Sequence, residues 1–172
     1  MQFMQNFEHY HPIYTNKFVL DWLTMSKVRD VFELRHNRRI AADSDRDIDE
    51  TIVDTTGYVN NMMRLVMNNQ ALIWGISDKH TGEFLGMVAI WDFDHDSAII
   101  RFEILPQHQN KGVMQEVLTR MVLFVFDELH LKKLQALTLP KNKISVHLLE
   151  KAGFSIVKKS DTQYLHFQIE DD

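Results

Sequence analysis

Two short segments hold the residue types from which an anion-binding site is built. The first is Gln109-Asn110-Lys111-Gly112-Val113-Met114, set between an apolar run at 99–105 and a long apolar-rich stretch at 116–129. A strand ending at Pro106, a polar turn with one glycine and then a helix aim several backbone N–H groups at one point. The first N–H groups of a helix lack internal acceptors and carry the positive end of its dipole, so a phosphate settles there with little side-chain help. The second segment runs from Pro140 to Phe154. In it, Asn142 has the character of a helix N-cap, and Gly153 lies where a helix needs a left-handed stop. Capping alone accounts for both of those residues without any function.

Hydrophobic periodicity supplies the elements that must position these segments. Residues 1–15 read as a loosely held extension, and 17–23 alternate enough for a strand. Ser26 is the expected N-cap of a helix through about His36, with Val28, Val31, Phe32 and Leu34 on its inner side. An acidic run at 43–50 leads into a second helix, roughly 47–68, in which Gly57 is a weak point that could split it. Residues 71–77, 84–93 and 98–105 read as three strands of an antiparallel meander, with turns at 80–82 and 95–96. A helix at 112–129, a strand at 134–139, a helix at 143–152 and strands at 154–159 and 164–169 complete the chain. This order predicts an α+β (α/β/α) protein: a mixed, mostly antiparallel sheet of six to seven strands with about four helices on both faces.

At 172 residues the chain is long enough for one domain with a real core, expected at 16–172 after the extension. No apolar run approaches the ~20 residues that a membrane helix needs, so no membrane association is expected. The first residues lack the basic start and long apolar core of a secretory signal. The absence of cysteine excludes disulfides, thiolate metal sites and a cysteine nucleophile, and the cytoplasm is the expected location. Net charge is −5, yet residues 101–160 hold 10 Lys/Arg against 5 Asp/Glu. A basic stretch overlapping the phosphate turn suits a polyanionic cofactor, and the acidic remainder suits a cationic substrate. Basic and aromatic residues do not interleave, so nucleic acid is not an expected partner. His9 and His11 form an H-x-H pair with no third ligand in view, and no metal is expected.

Taken together, and at this separation, the two segments closely resemble the GNAT acetyltransferase family, within it the ribosomal-protein-alanine N-acetyltransferase-like branch. The resemblance covers about residues 15–168. Its turn motif, Q/R-x-x-G-x-G/A, is matched by Gln109, Gly112 and, imperfectly, Met114. The later signature, N-x-x-S followed by E-K-x-G-F, is matched by Asn142, Ser145, Glu150, Lys151, Gly153 and Phe154. Softer matches are Phe32-Glu33-Leu34-Arg35 and Thr81-Gly82-Glu83 with Leu85-Gly86. The resemblance implies a splayed central strand pair, with the pantetheine arm of acetyl-CoA lying in the gap against backbone around Phe102, Ile104 and Leu105. It places the pyrophosphate on the N–H groups of the Gln109 turn, from Asn110 through Lys111, Gly112 and Val113 to Met114. It also brings Asn142 to the pantetheine and Ser145 to the thioester sulfur. The chain departs from the family in having Asn110 where close relatives have glycine, Ile99 where many carry an acid, and Asp21-Trp22 where Arg-Pro is commoner.

The reaction so implied is acetyl transfer to a primary amine by direct attack in a ternary complex. Ser145 is then expected to hydrogen-bond the departing sulfur, and Glu103, directly or through water, to serve as base. Each has a structural alternative: Ser145 as an ordinary helix-start serine, Glu103 in an ion pair with a nearby lysine. His108 and His147 are further candidate bases. Met62, Met63 and Met67 are expected to pack or to form a wall of the acceptor site. The acceptor is a protein N-terminus or a small amine (polyamine, amino sugar or drug), and the acidic segment 43–54 is expected on its side. Two other readings stay open: a non-catalytic acyl-CoA-binding module, and an interaction domain with a degenerate pocket. Either a monomer or a homodimer is expected.

Overall fold

A computed structural model describes residues 6–157 and 163–172. Its strands are β1 (Ile13–Tyr14), β2 (Phe18–Asp21), β3 (Leu72–Asp78), β4 (Phe84–Trp91), β5 (Ser97–Ile104), β6 (Lys133–Thr138), β7 (Ser155–Ile156) and β8 (Leu165–Glu170). Its α-helices are α1 (Val28–His36), α2 (Arg38–Asp43), α3 (Ile52–Met67), α4 (Val113–Leu123) and α5 (Lys143–Lys151). The strands join in one sheet, in the order β1-β2-β3-β4-β5-β6-β8-β7. Every pairing is antiparallel except β5 with β6. No helix among the described residues is long and apolar enough to cross a membrane.

Residues in register across a sheet share a face. The pairs Ile73–Ala89, Ala89–Arg101 and Met87–Glu103 therefore line one side, and Trp74–Val88 and Val88–Phe102 the other. Trp74 meets Phe124 edge-on, so α4 and its continuation cover that second side. The first side lies beneath α3, whose Tyr58, Met62 and Leu65 face a cleft floored by Ile73 and Met87. β3 and β4 carry near-continuous apolar runs because both their faces are covered. Gly86 lets β4 press against β5: a Cβ there would stand 2.2 Å from the Glu103 carbonyl oxygen.

Several expectations change. Of the expected loose extension 1–15, residues 1–5 lie outside the described residues, and the rest is held: Phe7 is fully buried, and Ile13 adds an eighth, two-residue strand to the sheet. Ser26 does not cap α1 but closes a 3₁₀ turn at 23–25; Lys27 is the N-cap of α1, and the Ser26 hydroxyl packs against the bare backbone of Gly75. Val28 points to solvent while Val31 and Leu34 are buried. The second helix begins at Ile52 rather than 47, because Thr51 and Asp54 close a reciprocal capping box there. Gly57 does not split it. Asn37, unnoticed in the sequence, caps a fifth helix, α2. The long helix after the turn is α-helical only to Leu123 and finishes as a π-helical turn, Phe124–Glu128. In the expected strand 154–159, β7 takes up Ser155–Ile156, and Lys158 and Lys159 lie outside the described residues.

His11 ties this N-terminal segment to the sheet. Its ring stacks on Trp22 at 4.1 Å, and Nε2 lies 3.0 Å from the carbonyl oxygen of Ile73, a contact that requires the proton on Nε2. Nδ1 is buried without a partner among the described residues. Burial lowers the pKa of this histidine, outweighing the backbone carbonyls and Asp21 that act to raise it. A base whose folded pKa is depressed contributes stability that is complete above the unfolded value, near 6.5, and is lost as pH falls through the folded one. Urea denaturation should therefore show wild-type stability dropping below about pH 6.5 with a steeper slope than His11→Gln. Parallel pH profiles would remove His11 from the acid sensitivity.

Candidate functional site

β5 and β6 are in register for only three pairs, Ser97–Lys133, Ala98–Leu134 and Ile99–Gln135. Beyond Ile99, β5 stays with β4 as far as Ile104, and β6 stays with β8 as far as Thr138. The strands part, and a cleft of about 520 Å³ passes between them. The Leu105 N–H donates to Leu85 on β4 at 2.9 Å, and the Glu103 carbonyl faces Gly86 on the same strand. Strand backbone alternates in direction, so the polar groups of Phe102 and Ile104 point to the opposite, open edge. The backbone groups of Phe102 and Ile104 are thus the ones presented to the cleft. The expectation for Leu105 is corrected: its N–H is held by Leu85 and its carbonyl accepts from His108.

β5 leads through a 3₁₀ turn, Pro106–His108, into the Gln109 segment. Asn110 has φ 61° and Gly112, the N-cap of α4, has φ 80°. Asparagine is the non-glycine residue most at ease in left-handed backbone, which is how the turn survives its departure from glycine. The N–H groups of residues 110–115 donate to no acceptor among the described residues. Asn110, Lys111 and Gly112 are exposed, whereas the side chains of Val113 and Met114 are buried, so the bulk of Met114 points into the core and leaves the turn clear. Glu116, in the first turn of α4, accepts from the Thr15 hydroxyl and from the Lys17 N–H at 2.8 Å, fixing the helix start to the β1–β2 turn.

Asn142 caps α5 by accepting from the Ser145 N–H at 3.2 Å, while its Nδ2 donates to the Asp43 carbonyl at 3.3 Å. It thus bridges α5 and the end of α2 across the cleft. Ser145 is buried at the cleft wall, and its hydroxyl has no partner among the described residues. Glu103 faces the α3 side in an ion pair, though with an arginine that the sequence reading passed over rather than a lysine. Arg46 Nε and Nη2 reach its two carboxylate oxygens at 2.7 and 2.8 Å. The remaining hydrogens of Arg46 go to the carbonyls of Leu34, Arg35 and Asp47, so all five donors are used. Both side chains are only 12% exposed. Burial acts to lower the Arg46 pKa, but the hydrogen bonds and charge of Glu103 outweigh it and the net shift is upward. The one clue in the sequence was a lone cation inside an acidic run.

Arg35 forms a second bidentate pair, with Asp49, and lies 3.7 Å from the centroid of the Tyr58 ring. Burial raises the Tyr58 pKa, leaving a neutral phenol in the cleft. Half of the carboxylates of the acidic segment are thereby committed to the fold: Asp49 to Arg35 and Thr55, Asp54 to the capping box, Asp45 to Gln163 and Tyr164. Of its acidic side chains Asp43 alone lines the cleft among the described residues, beside Ser44 and Arg46. Met62 does form part of the wall, Met63 packs on the core, and Met67 is exposed. His108 sits beside Glu83 and His147 on the exposed side of α5; neither lines the cleft. His9 is exposed and His11 is held by Trp22, so the two rings do not converge.

The model of the acetyltransferase (GNAT) domain family matches residues 17–155. The Bacillus subtilis protein described as uncharacterised N-acetyltransferase YoaA is 25% identical over 142 residues, covering 81% of this chain and 80% of its own. A candidate ribosomal-protein-serine acetyltransferase of Vibrio cholerae superposes with a TM-score of 0.83 at 20% identity, covering 94% of this chain and 98% of that one. The spermidine N-acetyltransferase of Vibrio cholerae, solved with CoA and spermine, gives 0.76 at 21% identity, covering 89% and 95%. At these identities the structural likenesses speak for the fold.

Removing one partner of a buried ion pair strands the other charge, at a cost of about 3–5 kcal/mol. Glu103→Ala should therefore lower unfolding stability by roughly that amount in chemical denaturation. A loss within the surface-pair range of about 0–1 kcal/mol would mean that the clamp is solvated in solution.

Proposed function

Because this chain belongs to the GNAT acetyltransferase family and is by that membership an acyltransferase, we propose that it moves the acetyl group of acetyl-CoA to the primary amine of a peptide or protein N-terminus. The observation that carries this reading is the parted β5–β6 pair, with unpaired strand backbone along the cleft and free turn amides beyond it. The amides of residues 110–114 suit a diphosphate, and the open edge at Phe102 and Ile104 suits the amides of a pantetheine arm. Gln109 closes the 3₁₀ turn that delivers this loop, and Asn142 keeps one amide hydrogen for the same arm.

The amine nitrogen bonds to the thioester carbonyl carbon, the C–S bond breaks, and the nitrogen gives up a proton as the sulfur gains one. The Ser145 hydroxyl donates to the departing sulfur. Glu103 keeps lone pairs beyond those used by Arg46 and accepts from the amine, directly or through water. Both its oxygens are engaged by Arg46, so orientation is its larger contribution and the proton leaves through water. A polyamine fits this cleft poorly. Arg35 and Arg46 are compensated by Asp49 and Glu103, which leaves Arg101 and Asp43 on the wall, so among the described residues the cleft carries no net negative charge to draw a polycation. Tyr58, Met62 and Leu65 add an apolar wall.

Thiol release from acetyl-CoA, measured across N-terminal peptides, spermine and an aminoglycoside, tests the reading. Peptides should turn over fastest. CoA binding without release on any amine would leave only an acyl-CoA-binding module. Ser145→Ala should lower kcat by about tenfold or more with acetyl-CoA affinity unchanged, and wild-type kinetics would remove the hydroxyl from the mechanism. Gly112→Val meets open space but forces a β-branched residue to φ 80°. It should weaken CoA binding in calorimetry, and unchanged affinity would refute the diphosphate assignment.

A further inference from the structure

The charges lining the acceptor side of the cleft are not equivalent. Arg46 is saturated by Glu103 and three backbone carbonyls, and Arg35 is held by Asp49. Arg101 is different. It stands on the same sheet face as Ala89 and Glu103, its guanidinium lies 5.8 Å from the centroid of Trp91, and its only side-chain hydrogen bond among the described residues is a long one, 3.5 Å, to the Ser44 carbonyl. It is the lining cation with no carboxylate partner among the described residues. Asp43, next to Ser44, is the lining anion with no ion-pair partner among them. One unpaired cation and one unpaired anion thus share a wall that is otherwise neutral or internally compensated.

We infer that the acceptor is an amine that carries a carboxylate close to its reactive nitrogen, with Arg101 reading the carboxylate and Asp43 receiving the ammonium before it is deprotonated. The inference rests on the acetyl transfer proposed above and narrows its substrate class to an N-terminus followed closely by an acidic residue. Arginine suits this task because its planar fork pairs with both carboxylate oxygens, and Trp91 supplies a flat face that limits the fork's motion without neutralising it. A bare polyamine offers nothing for Arg101 and is repelled by it. A neutral amine leaves both charges solvated and gains nothing from either.

The test uses hexapeptide amides that differ only in having aspartate or asparagine as the second residue. Wild-type enzyme should favour the acidic peptide by about five- to tenfold in kcat/KM, the size expected of one partly solvated charged hydrogen-bond pair, and the preference should shrink as salt rises. Arg101→Gln should abolish the preference, so that the aspartate and asparagine peptides turn over with equal kcat/KM. Arg101→Glu should turn it toward a peptide with lysine at that place. A general loss of stability would lower both rates together and would not move their ratio. Free amino acids assayed against their own amides form the other arm: a preference for the free acid assigns the carboxylate to the backbone rather than the side chain, and still supports an anion-reading Arg101. Equal rates on the two peptides and on the free acids and their amides, with acetylation intact, would overturn this inference alone. If no peptide is acetylated at all, the transfer reading falls and this one falls with it.

Discussion

Strand β5 ends with one edge bare. Backbone N–H and C=O groups inside a protein nearly always find partners, and an unpaired strand edge is usually covered or blunted. Here the edge at Phe102 and Ile104 is kept open by what holds each neighbour elsewhere. Gly86 allows β4 to lie so close to β5 that the strand cannot drift toward β6, and β8 pairs with β6 along its whole length. Helix α5, starting where β6 has already turned away, sets Ser145 at the wall of the resulting gap. An extended molecule with its own amides satisfies such an edge as a further strand does. The cleft is therefore a missing strand as much as a pocket.

Charge in the cleft is arranged on the same logic of commitment. Arg46 and Glu103 join the loop after α2 to the end of β5, and Arg35 with Asp49 joins α1 to the loop before α3. Buried pairs of this kind contribute little net stability over an apolar packing, yet breaking one is costly. They serve as rigid spacers that keep α1, α2 and α3 at a fixed distance from the sheet. That fixed spacing leaves the cleft open over Ile73 and Met87, with Tyr58 and Met62 opposite.

Much of this was legible in the residues. The meander at 72–104, the Asn110 and Gly112 turn, the Asn142 cap and the position of Ser145 all follow from local chemistry: periodicity, left-handed tolerance and capping. The family resemblance supplied the parted strands, which no periodicity shows. What stayed hidden depends on contacts between segments distant in sequence. Nothing near Arg46 points to Glu103, 57 residues away, so its pairing with an arginine rather than a lysine could not be read. The acidic segment looked like an open anionic surface because its partners, Arg35, Thr55 and Tyr164, lie on other elements. The N-terminal stretch looked loose because its alternation is short, although Phe7 and Ile13 are core residues. Leu105 was misjudged by one residue, which in a strand is enough to reverse the direction of its polar groups.

Glu116 has a mechanical meaning that reaches past the cleft. The same carboxylate that sits in the first turn of α4 accepts hydrogen bonds from Thr15 and Lys17, so the loop carrying the free amides is braced by the opening hairpin. Residues 6–16 precede the span that matches the family model, yet they are anchored to the core by Phe7 and to the sheet by His11. The folding unit thus begins earlier than the stretch that betrays its ancestry. Any shortened version cut at the boundary of likeness would lose part of the buttress of the loop that opens α4.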